Sequence, residues 1–96
     1  MIQRALGAKK DIAKTLEGFA GLAAAQGQAE RALCLAGAAA ALCEAIGAPL
    51  PPVEQAWLDR RLEPARQALT EKARKAAQEE GRMMTLEQAI EYALHH

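Results

Sequence analysis

The sequence contains no serine and no asparagine, and its two histidines, His95 and His96, are its last two residues. A serine-based triad is therefore excluded, and no imidazole sits where it can do acid–base work. Glycines occur singly, with no G-x-x-x-x-G-K-[ST] loop to cradle a phosphate. Acidic pairs such as Glu79 and Glu80 are expected on exposed surfaces rather than in an apolar site. These gaps predict a chain that is not an enzyme and carries no cofactor. Net charge is also missing: 12 basic and 12 acidic residues cancel. No field then draws in nucleic acid or an anionic membrane, which leaves DNA binding by a helical domain as a distant alternative. The two cysteines, Cys34 and Cys43, are nine positions apart. On one helix that is about 13.5 Å and opposite faces, so they neither bridge nor share a metal. The longest apolar run, residues 32–43, falls short of the roughly 20 residues a membrane span needs. Lys9, Lys10 and Asp11 occupy the place of a signal peptide's apolar segment, so a cytoplasmic location is expected.

Aromatic residues are equally scarce, at 3%, while hydrophobic residues reach 51%. The difference is mostly alanine, which gains far less on burial than the roughly 1.5–3 kcal/mol of a Leu or Phe side chain. Alanine nevertheless falls in helical register. Leu16, Phe19, Ala20, Ala23 and Ala24 form one stripe, and Ala29, Ala32, Leu33, Ala36, Ala39, Ala40, Cys43 and Ile46 form a second. Gly27 and Gly47 stand where each helix needs a left-handed residue to end. The spacing predicts a helical hairpin over residues 11–47, capped by Asp11, with backbones in close approach.

This hairpin resembles a tetratricopeptide repeat: Leu16 matches the first large apolar position, Ala20 and Ala32 the small crossing residues, Gly27 the turn glycine, and Ala36 and Ala39 later packing positions. The runs LEGFAGLAAAQGQAERA, GAAAALCEAIGAPLPP and EEGRMMTLEQAIEYAL resemble the C-terminal tetratricopeptide-like segment of bacterial signal-transducing ATPases and transcriptional regulators of the LuxR and AfsR type. The resemblance implies an all-α fold of four to five helices, a tetratricopeptide-like hairpin followed by capping helices. It also implies a sensor or scaffold role without chemistry. Arg74 and Gln78 stand where that family has large aromatics, so the fourth helix lacks its usual anchors.

The remaining boundaries follow from caps and prolines, within one domain of residues 1–96. Ile2, Ala5, Leu6 and Ala8 predict the end of a preceding helix, weakened at Gly7. Pro49, Pro51 and Pro52 enforce a stiff corner, with Pro52 suited to open a third helix over residues 52–69. Pro64 should kink or split that helix. Thr70 caps a fourth helix, residues 70–81, whose buried side is only Ala73, Ala76 and Ala77 and which Gly81 ends. Thr85 and Gln88 form a capping box for a last helix, residues 85–95. In it Leu86, Ala89, Ile90, Ala93 and Leu94 face inward, and Glu87, Glu91 and Tyr92 face out.

Two functional readings follow. In the first, Lys14, Glu17, Gly21, Ala24 and Ala25 form the groove face of the hairpin, small enough for helix packing rather than peptide capture, and the partner is a second copy or a neighbouring helical repeat. A single hairpin cannot bury both faces, which favours a homodimer pairing the first helices. In the second, the chain is a small-molecule sensor with an apolar pocket near Trp57 and Leu62. Trp57 itself is expected as a core anchor, with an exposed interface residue as the other reading.

Overall fold

Two left-handed glycines divide the first half of the chain. In the structure, a computed structural model, residues 2–95 are described; Met1, His96 and the side chains of residues 2–7 and 95 lie outside that description, and with them the expected apolar contacts of Ile2, Ala5 and Leu6. The fold is all-α. Five helices run in order, α1 (Ile2–Ala25), α2 (Ala29–Ala45), α3 (Pro52–Ala68), α4 (Glu71–Met83) and α5 (Leu86–His95), and no strand occurs among the described residues. Gly27 has φ +78° and Gly47 φ +67°. At each, the next amide reaches back five residues (Gln28 to Ala23, 2.8 Å; Ala48 to Cys43, 3.0 Å) and the glycine amide bonds the carbonyl three before it. Those paired bonds satisfy carbonyls that the helix ends leave open.

α1 differs from expectation. It is one helix of 24 residues rather than a remnant followed by a new start at Asp11. Asp11 lies inside it, and its carbonyl accepts a bond from the Thr15 hydroxyl at 2.9 Å. A glycine in a helix interior costs only about 1 kcal/mol, and packing of α1 against α2 and α5 outweighs that.

α2 is the central element and touches all four others. Leu33 and Leu35 project to different sides of it, and both are fully buried, with Leu16 from α1 and Leu62 from α3 the other large side chains sealed completely. α1 covers one side of α2 and α4 another. Two glycines take the place of the aromatic anchors that α4 lacks. A Cβ at Gly37 would collide with the Gln78 backbone, and one at Gly81 with the backbone of Cys34 and Ala38. Backbone lies on backbone there, so α4 needs no aromatic anchors. Gly81 accordingly does not end α4, which continues to Met83. Ala77 is buried with it, whereas Ala76 is exposed.

α3 opens at Pro52 after Pro51, and the Gln55 amide bonds the Pro51 carbonyl at 2.9 Å. It continues through Pro64 without splitting, and Pro64 and Arg60 lie on its exposed side, where a carbonyl that loses its helical donor is open to solvent. The capping box forms as read: the Thr85 amide donates to Gln88 Oε1 (2.9 Å) and the Gln88 amide to Thr85 Oγ1 (3.1 Å). Thr70 Oγ1 likewise accepts from the Ala73 amide at 3.1 Å. α5 is rotated from the expected face. Ala89 and Ala93 are buried, Tyr92 is half-buried and hydrogen-bonded to Cys34, and Leu94 is exposed. Arg31 of α2 fixes that rotation by donating to the Ala93 carbonyl at 2.8 Å, which places a cation at the negative end of α5. The hairpin's second face is thus closed by the chain itself, with a radius of gyration of 12.6 Å, close to the ~13 Å of a compact unit of 100 residues.

Candidate functional site

The corner at Pro49–Leu50 turns α3 back across α1 and α2, and the three elements do not meet completely. Between them and α4 lies a cavity of about 310 Å³, at the lower end of the ~300–1,000 Å³ range of small-molecule sites. Its apolar wall comes from Leu50, Leu58 and Leu62 with Ala39, Ala40 and Cys43 of α2. Small side chains on α2 leave this room, because alanine does not reach as far as the leucines opposite it.

Glu17 of α1 forms part of the same wall. It shares a helix face with Ala13, Ala20, Gly21 and Ala24, all buried, so helix geometry carries its carboxylate inward, and only 6% of the residue is exposed. Oε1 is sealed from solvent and has no hydrogen-bond donor. Burial first, and the Glu54 carboxylate second, raise the Glu17 pKa above the ordinary 4.5, while Lys14 opposes them weakly. The other charges around the cavity are paired. Arg66 meets Asp59 at 3.1 Å, and Arg82 of α4 meets Glu44 of α2 at 2.6 Å, which lowers the Glu44 pKa. Cys43 is a protonated thiol, its pKa raised by burial and by nearby carboxylates, with Glu17 the largest of these. Cys34, on the far side of α2, is pushed up to about 11 by burial. Among the described residues no group of three His, Cys, Asp or Glu side chains is placed to hold a metal ion.

The expected groove residues separate. Lys14 and Ala25 are exposed, whereas Glu17, Gly21 and Ala24 are buried within the protomer. Gly21 lies beneath the Arg61 side chain, whose Cδ is 3.1 Å from where a Cβ would stand. The groove face is therefore covered largely by α3, and it is not the free face a homodimer paired through it would need. Of the expected pocket pair, Leu62 does line a cavity and Trp57 does not. Nor is Trp57 a core anchor: it is 48% exposed, with the Arg61 guanidinium 4.3 Å from its ring centre. α3 presents its leucines Leu58 and Leu62 to the core, and Trp57 falls on the flank. Val53, one turn earlier on that flank, is 81% exposed, and Leu22, next to Gly21 on α1, is 51% exposed.

No family model, no curated protein and no solved structure matches this chain.

Two surfaces therefore stand out. One is the cavity with Glu17 in its wall. The other is the flank of α3 that carries Val53 and Trp57. Sequence reasoning placed Glu17 in a groove and missed its isolation; the available signal was a carboxylate inside an apolar stripe, four residues from a glycine.

Proposed function

We propose that this chain is a non-catalytic interaction module, a tetratricopeptide-like hairpin closed by its own later helices, that docks through the flank carrying Trp57. The observation that carries this reading is the half-exposed Trp57 held under Arg61, with the exposed Val53 one turn earlier on the same helix. Tryptophan and arginine dominate binding energy at protein interfaces. The guanidinium stacked on the ring restricts the indole before a partner arrives, which lowers the ordering cost of docking. The cancelled net charge suits an apolar partner rather than a polyanion.

The partner this reading favours is a second copy of the chain, with a neighbouring helical repeat as the equivalent in a longer bacterial regulator. Its resemblance to the tetratricopeptide-like ends of LuxR- and AfsR-type proteins supports a signalling or transcription-regulating setting. Light scattering behind gel filtration, over a dilution series from about 100 to 1 μM, tests self-association in the range of ordinary μM affinities. The expected result is a dimer mass that falls on dilution, and a monomer for Trp57→Ala at every concentration. A wild-type monomer throughout, or a dimer insensitive to Trp57→Ala, rejects docking through this flank.

A further inference from the structure

The cavity beside Glu17 has a feature that packing does not require. A carboxylate removed from water costs free energy unless it is paired, and here Oε1 has no donor. The nearest cation that favours its charge, Lys14, is exposed on its own helix, and Glu54 adds negative charge from α3. Asp59 with Arg66 and Glu44 with Arg82 are each internally balanced. Cys43, facing Glu17 from α2, is neutral while protonated. The cavity is thus apolar along Leu50, Leu58 and Leu62, with one unbalanced negative group in its wall.

We propose that this cavity is a binding site for a small amphipathic primary amine, whose ammonium pairs with Glu17 and whose hydrocarbon tail lies along Leu58 and Leu62. An ammonium beside Glu17 in the wall brings the missing positive charge to the carboxylate, and it reaches the sealed Oε1 only if the side chain turns towards the cavity. An alcohol brings only a donor, and a carboxylate adds a second negative charge. A metal ion finds no further ligand set there. The exposed mouth at Pro49, Gln55 and Glu44 leaves a route for entry. Ligand binding at this site is separate from docking through Trp57, which does not line it.

Occupancy depends on pH in a defined direction. The amine pairs with ionised Glu17, so binding weakens as pH falls through the raised carboxyl pKa. By linkage, the bound amine must in turn bring that pKa back towards 4.5.

The test uses hexylamine, 1-hexanol and hexanoate, which share a tail and differ in head group. Titration calorimetry of the wild-type chain should give saturable one-to-one binding of hexylamine, tighter by about tenfold or more than hexanol, a difference of about 1.4 kcal/mol. Hexanoate should not bind. Glu17→Gln should lose the preference for the amine while keeping the tail contacts. A second measurement is independent of how that variant folds: the carboxyl ¹³C shift of Glu17 in wild-type protein, titrated with and without hexylamine. Equal binding of the three probes, no saturable binding of hexylamine, or a Glu17 titration unchanged by hexylamine overturns the proposal.

Discussion

At the residue scale, Glu17 sets the clearest pH dependence. Its folded pKa is raised from 4.5 by burial, so below that value both folded and unfolded chains hold the proton and no penalty applies. As pH rises from 4.5 through the raised folded value, the unfolded chain releases its proton first and the folded state loses stability. Glu17→Gln should remove this loss. Urea midpoints measured across that window are expected to fall with rising pH in the wild type and to fall less in Glu17→Gln, and parallel curves would contradict the assignment. The cysteines give a second residue-scale prediction. Both are buried, and the Cys34 thiol, pushed up to about 11, is protonated at pH 8. Reaction with a disulfide reagent at pH 8 should therefore track unfolding, and rise with urea. The isolation of these thiols was legible from their nine-residue spacing. The isolation of Glu17 was not, because it depends on where α3 returns.

At the element scale, the α2–α4 crossing is the most sensitive contact in the molecule. Gly37 and Gly81 admit no Cβ without moving backbone, which flexible side chains cannot absorb. Gly81→Ala and Gly37→Ala should each destabilise the fold by about 1–3 kcal/mol or more through overpacking, read by urea unfolding. Gly18→Ala is the matched control. Beyond its chain neighbours and its own helix backbone, nothing lies within 4 Å of a Cβ there, and the change should be neutral or stabilising by up to about 1 kcal/mol through helix propensity. Equal effects at the three positions would contradict the crossing. The sequence carried helix type and caps well: Gly27, Gly47, Thr70 and the Thr85–Gln88 box are all local devices, decided within a few residues. It did not carry the role of Gly81, since a glycine near a helix end and a glycine at a helix crossing look alike until the second helix is placed.

At the scale of the whole molecule, α2 makes the fold a single unit, because α1, α3, α4 and α5 all pack on it. Unfolding should accordingly be one transition. Trp57 fluorescence, reporting α3, and far-ultraviolet circular dichroism, reporting all helices, are expected to coincide in urea. Leu33→Ala, at the buried centre, should cost about 2–5 kcal/mol and shift both probes together. Separated curves would show that α3 leaves α2 independently. The sequence alone determined an all-α chain, the glycine turns at Gly27 and Gly47, the caps at Thr70 and Thr85 and the alanine-rich faces, because each is set by side-chain size, spacing and backbone preference over a few residues. Tertiary structure alone decided which faces meet. It ran α1 continuously past Asp11, turned Trp57 outward, closed the hairpin with α4 instead of leaving it open, and left Glu17 in the wall of a cavity. When most buried residues are alanine, several helix rotations satisfy the same hydrophobic pattern, and only backbone contact at glycines and the reach of a few leucines choose among them.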